Sequence, residues 1–132
     1  MAPKPKRQSP KGQSPKGLRL DIESKTISNK AYRRVIYTDD KMQVVLMSLK
    51  PKEEIGMEVH KDATQFIRVE RGKGKAVIAG KTHLLRDGVV VIIPFGTLHN
   101  IINTSSRLPM KLYTVYSPPT HPPGTLEMYK KD

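Results

Sequence analysis

The feature that most constrains what this chain can fold into is how often its pattern breaks. Short apolar stretches follow one another, and each is closed by turn chemistry: Asp39-Asp40-Lys41, Arg71-Gly72-Lys73-Gly74, Ala79-Gly80-Lys81, Asp87-Gly88 and Pro94-Phe95-Gly96. Glycine, proline and aspartate at such points favour tight turns. The stretches between them (residues 35–37, 43–49, 58–60, 65–70, 75–79, 82–85, 89–93, 98–103 and 111–116) read as strands. Leu18, Leu20 and Ile22 alternate with Arg19, Asp21 and Glu23, the period-2 pattern of a further, half-buried strand over residues 18–22. No stretch of a dozen residues keeps a 3.6 period. Many short strands at close spacing predict an all-β sandwich or barrel. Residues 117–124 hold four prolines and are expected to run as an extended segment that wraps the barrel.

At 132 residues the chain is long enough for one domain with a real core. Its charge divides it. The 24 lysines and arginines stand against 12 acids, and five of the basic residues (Lys4, Lys6, Arg7, Lys11 and Lys16) fall within the first seventeen positions, where there is no acid. That segment, with four prolines, a twice-repeated Gln-Ser-Pro-Lys-Gly and no aliphatic pattern, cannot bury enough surface to offset ordering entropy. Residues 1–17 are therefore expected to be a disordered basic tail, and residues 18–132 the folded domain. A tail of this charge attracts polyanions such as nucleic acid by counterion release, or serves as a solubilising or targeting segment. The absence of cysteine excludes disulfides, thiolate zinc sites and cysteine nucleophiles. The longest aliphatic run, residues 89–93, is far short of a membrane span, and the first residues lack a signal-peptide core. The expectation is an intracellular protein, cytoplasmic or nuclear, with a virion left open.

Four histidines carry whatever metal chemistry the chain has: His60, His83, His99 and His121. His83 lies in a hairpin strand with no acid or amide in useful register and is expected to be structural. His121 sits in the proline-rich segment, where it could cap a barrel mouth. If the chain is extended around residue 58, Glu58 and His60 share one face. In the following strand Gln65 lies on the side of Ile67 and Val69, inward, while Phe66, Arg68 and Glu70 take the outer side, with Arg68 and Glu70 in solvent. A buried amide needs partners. Glu58, His60 and Gln65 can meet His99 in one pocket, either as a hydrogen-bonded polar cluster or as a site for manganese, iron, nickel or zinc.

Gly88, Pro94, Gly96, His99 and Asn103 occupy every fixed position of the second cupin motif, and the segment around them resembles that family. The first cupin motif is matched in part: its His-x-His pair falls on Glu58 and His60, its glutamate on Gln65 and its closing glycine on Gly72. The resemblance covers roughly residues 25–128, and with Tyr116–Thr125 it extends to small single-domain cupins of the mannose-6-phosphate isomerase-like group. It implies a double-stranded β-helix, or jelly-roll barrel, and metal ligands at Glu58, His60, Gln65 and His99. Two of the four differ from the common His-His-Glu-His set, yet one carboxylate remains in either arrangement. It also implies a homodimer, with the edge strand over residues 18–22 covered by a second copy.

Two functions follow. One is a metal-dependent, isomerase-like enzyme acting on a small polar ligand in the barrel, such as a sugar or sugar phosphate, with the metal as Lewis acid or Glu58 as catalytic general base. The other is a non-catalytic binding or structural protein, tethered by residues 1–17 to nucleic acid or to a larger assembly such as chromatin or a virion.

Overall fold

The computed structural model describes residues 17–131. The expected tail, but for Gly17, lies outside the described residues. One short helix and nine strands follow in order: α1 (Ile22–Ser28), β1 (Arg33–Thr38), β2 (Gln43–Leu49), β3 (Thr64–Arg71), β4 (Lys73–Ile78), β5 (Lys81–Arg86), β6 (Val90–Ile93), β7 (His99–Asn103), β8 (Met110–Ser117) and β9 (Leu126–Glu127). They form a six-stranded sheet, β6-β3-β8-β2-β1-β9, and a three-stranded sheet, β5-β4-β7, antiparallel throughout. This is the expected all-β jelly-roll barrel.

Alternation along each strand builds the core. Val45, Met47 and Leu49 of β2, Ile67 and Val69 of β3 and Leu112 of β8 point inward, where they meet Ala76, Leu85 and Ile101 from the smaller sheet. At one end the inward layer turns polar: Gln43 pairs with Tyr116, and Tyr116 pairs with Gln65. That end carries the site.

The expected strand over residues 18–22 does not form. Asp21 instead caps α1, its carboxylate accepting from the Ser24 amide at 3.1 Å. The apolar residues of that segment are still used. Leu18, Leu20 and Ile22 line a groove on the outer face of the large sheet, beside Ile36, Val44 and Val115. Their alternation thus records contact with a sheet rather than membership of one, and the sheet edge invoked for dimer formation is not there. The segment over residues 58–60 is also less regular than expected, touching β7 through a single isolated bridge between Glu58 and His99. Glu70 is buried rather than solvated, with Arg68 Nε 3.1 Å from its carboxylate.

The proline-rich segment does wrap the barrel. Gln43, fully buried, holds it with both ends of its amide: Oε1 accepts from the Thr120 and His121 amides, and Nε2 donates to the His121 carbonyl at 2.7 Å and to Thr38 Oγ1. The chain then adds β9 beside β1.

Gly74 of β4 shows how closely β4 and β7 approach within the small sheet. A Cβ at this position would lie 2.1 Å from the Ile102 carbonyl oxygen, a backbone atom that cannot step aside alone. Gly74→Ala should therefore destabilise the protein by about 1–3 kcal/mol, measured as a lower urea midpoint with an unchanged slope.

Candidate metal centre

The residues nominated from sequence reach one end of the barrel by different routes. Glu58 and His99 are paired directly, the Glu58 amide donating to the His99 carbonyl at 2.8 Å and the His99 amide returning the bond at 3.0 Å. Such a reciprocal pair sets both side chains on the same side. The segment before Glu58 is fastened to β7 by further bonds. Ile55 donates to the Ile101 carbonyl, Gly56 donates to Asn100 Oδ1 at 2.8 Å, and Asn100 Nδ2 donates to Glu54 Oε1 at 2.8 Å. His60 is held from the other side, its carbonyl accepting from the Gly96 amide at 2.8 Å. Gly96 takes φ +74°, so the Pro94–Gly96 turn of the second motif needs glycine there to reach His60.

Glu58, His60 and His99 come together with their ligand atoms within 4.8 Å of one another. His60 Nε2 lies 3.3 Å from Glu58 Oε1, and the two imidazole rings are 5.3 Å apart. Gln65 reaches the same end as cross-strand neighbour of Tyr116, whose ring stands edge-on to His60 with centroids 5.3 Å apart. Glu58 is held below the usual carboxylate range: burial pushes its pKa up, but contact with His60 and the charge of Arg33 outweigh that. His83 is paired with Ala76 in the small sheet and takes no part.

Two polar atoms here are buried without a hydrogen-bond partner, His99 Nε2 and Gln65 Oε1, and His60 Nε2 has only the Glu58 carboxylate at 3.3 Å. The other ends of His99 and Gln65 are occupied. His99 Nδ1 lies 2.8 Å from the Thr97 carbonyl, which can only accept, so Nδ1 carries the proton and Nε2 presents a lone pair. Gln65 Nε2 donates to Thr114 Oγ1 at 3.0 Å, leaving its carbonyl oxygen to face inward. Two imidazole nitrogens and a carboxylate form a donor set that suits a borderline divalent ion. The residues present fit such an ion.

The family is decided by comparison with known proteins. Residues 45–116 match the Cupin domain family. This chain belongs to the cupins. Among its relatives, an uncharacterized protein of Acanthamoeba polyphaga mimivirus is 47% identical over 113 residues, covering 83% of this chain and 70% of that protein. The uncharacterized YrkC of Bacillus subtilis is 40% identical over 119 residues, covering 86% of this chain but only 63% of its own length. A crystal structure of a Bacillus halodurans protein superposes with a TM-score of 0.86 at 38% identity, covering 93% of this cupin and 96% of that chain. No helix among the described residues is long and apolar enough to cross a membrane.

Sequence reasoning missed three residues that shape this end. Tyr116 is buried between His60 and His121, its ring 5.3 Å from each. Gln43 fixes the strap on which His121 stands. Arg33 points inward, and its register with Val35 in the same strand was the available signal. His121, given no partner from sequence, has one: its Nε2 lies 3.4 Å from the Tyr116 hydroxyl.

Burial, seconded by Arg33, pushes the His121 pKa down to about 4. A folded-state value below the unfolded one means that folding excludes a proton. The stability contributed is whole above the unfolded value of about 6.5 and is lost as pH falls from there towards about 4. Thermal melts from pH 7 to pH 4 should therefore show a steeper decline for the parent than for His121→Gln.

Proposed function

We infer that this cupin holds a divalent ion, one of manganese, iron, nickel or zinc, through Glu58, His60, Gln65 and His99, and works on a small polar ligand bound at that end of the barrel. The observation that carries this reading is the gathering of two imidazoles and one carboxylate with ligand atoms within 4.8 Å, beside the buried, partnerless His99 Nε2 and Gln65 Oε1. A cluster held together by its own hydrogen bonds would leave neither of those two atoms open. When bound, the ion supplies Lewis acidity, polarising a carbonyl or hydroxyl of the substrate. The chain supplies the rest. His99 is fixed in one tautomer by Thr97, Gln65 is oriented by Thr114, and Glu58, kept ionised, can act as ligand or as general base. An isomerase-like reaction on a sugar or sugar phosphate is one chemistry that suits such a site.

Elemental analysis of the unchelated protein tests this reading. His60→Ala and His99→Ala should each lower metal affinity by more than the roughly 10–100-fold that losing an outer-shell partner costs, while His83→Ala leaves metal content unchanged. Gln65→Glu separates the two forms of the pocket. With an ion present the added carboxylate tightens binding, and added manganese, nickel or zinc raises the melting temperature. In a metal-free cluster two carboxylates would crowd, and a loss of stability that no metal restores would defeat the assignment.

A homodimer is part of the same reading, with its interface moved to the outer face of the large sheet. There Val90 and Ile92 of β6 and Leu18 stand exposed, at 36%, 58% and 54%. Scattered apolar residues are ordinary, but a row along one sheet face favours association. Sedimentation at micromolar concentration should show a species near twice 14.9 kDa, reduced to monomer by Ile92→Lys. The alternative, a non-catalytic scaffold tethered to nucleic acid by residues 1–17, rests on the charge of that segment. It would show itself as salt-dependent binding lost on truncation.

A further inference from the structure

Arg33 is placed in a way that neither the fold nor the histidine cluster accounts for. In β1 it stands opposite Met47, a core residue, so it is turned towards the inside of the barrel, and its side chain is only 12% exposed. A guanidinium never gives up its charge, so one withdrawn from water needs partners on its donors. Nη1 bonds Oε1 of Glu127 on β9, and Cζ lies 5.1 Å from the centroid of the Tyr32 ring. Nε is buried and without a hydrogen-bond partner among the described residues.

The geometry of the group makes that unpaired atom informative. A guanidinium offers Nε and Nη2 as parallel donors along one edge, spaced to match the two oxygens of a carboxylate. Glu127 sits on Nη1 and does not use that edge. Glu127, which Arg33 bonds, stands on the strand that continues the strap carrying His121, and His121 lies beside Tyr116; the charge of Arg33 is accordingly felt at Glu58, Tyr116 and His121, so the guanidinium belongs to the same end of the barrel as the histidines. The charges there also leave room for an anion. Arg33 and Glu127 cancel, and a divalent ion set against Glu58 alone leaves one positive charge over.

We propose that Arg33 anchors a carboxylate of the ligand through its Nε–Nη2 edge, so that this site takes a small organic acid rather than a neutral sugar. The proposal rests on the reading of this end of the barrel as the ligand site. It makes Arg33 a binding residue and Glu127 the residue that holds it in place.

Lactate and its neutral counterpart lactamide are suitable probes, with inorganic phosphate as the competing oxyanion. Each is titrated calorimetrically into the full chain, metal-loaded and chelator-treated, with metal content measured alongside. Lactate should bind, lactamide at least tenfold more weakly, and phosphate no better than lactamide. Arg33→Gln should weaken lactate binding at least tenfold without changing metal content. Arg33→Lys, which keeps the charge and serves if the glutamine variant fails to fold, should weaken it too, because a lysine lacks the paired donors. Lactate affinity unchanged in both variants overturns the proposal, and so does phosphate binding in preference to lactate. The metal reading fails separately: no metal retained in any sample, with lactate binding still dependent on Arg33, would sink that reading and leave this one standing.

Discussion

Two backbone hydrogen bonds between Glu58 and His99 hold the candidate centre together. Residues 53–60 form no regular strand, so their polar backbone groups must be satisfied piecemeal as they cross β7. The bonds from Ile55 and Gly56, the side chain of Asn100 and the Gly96 amide on the His60 carbonyl do this. The result is a loop with the positional precision of a strand, which is what a cluster of ligand atoms within 4.8 Å requires. The residues of the second motif find their physical reasons here. Gly96 grips the loop that carries His60. Asn103 is wholly buried and donates to the carbonyls of Leu49, Lys50 and Leu108, tying the segments that leave β2 and enter β8 to the end of β7.

The other wall of the site depends on Gln43. Its amide bonds the strap at Thr120 and His121 and so places an imidazole beside the Tyr116 hydroxyl. The strap continues into β9, whose Glu127 meets Arg33. One buried glutamine thus links the proline-rich segment, the aromatic row His99–His60–Tyr116–His121 and the inward arginine into a single polar end on an otherwise apolar barrel.

Much of this was legible in the sequence, because strands and turns are local. The run over residues 43–49 forms β2 with those bounds; the turn clusters at 39–41 and 79–81 lie where antiparallel neighbours reverse, and those at 71–74 and 87–88 lie where the chain crosses from one sheet to the other. Period-2 alternation likewise turned Gln65 inward and kept His83 apart. Alternation failed at residues 18–22, since a segment lying on a sheet and a strand within one place the same demand on every second residue. Asp21, poised to cap the following turn, was the sign that the chain would change course there. It failed also at Glu70, a charged residue expected in solvent, where the pairing of β3 with β8 shifts register between Val69 and Arg71 and the half-exposed Arg68 covers the buried carboxylate. Arg33 was passed over for a related reason. Two adjacent arginines look like surface, but in a strand one of them must share a face with Val35.

The energetics of the cluster bear on what the barrel was shaped to hold. A buried polar atom left without a partner costs about 1–3 kcal/mol, and His99 Nε2 and Gln65 Oε1 both carry that cost. Stability of a domain this size is itself only about 5–15 kcal/mol, so two such atoms at one end of the barrel are a substantial fraction of it. Hydrogen bonds donated to Thr97 and Thr114 fix these two side chains with their open atoms facing inward, rather than letting them turn to find partners. A core shaped for stability alone would place aliphatic side chains here, as it does one and two layers further in at Ile67 and Val69. On the reading proposed above, a ligand with several coordination positions recovers that cost, and the carboxylate of Glu58, kept ionised beside the two imidazoles, favours a cation in that place.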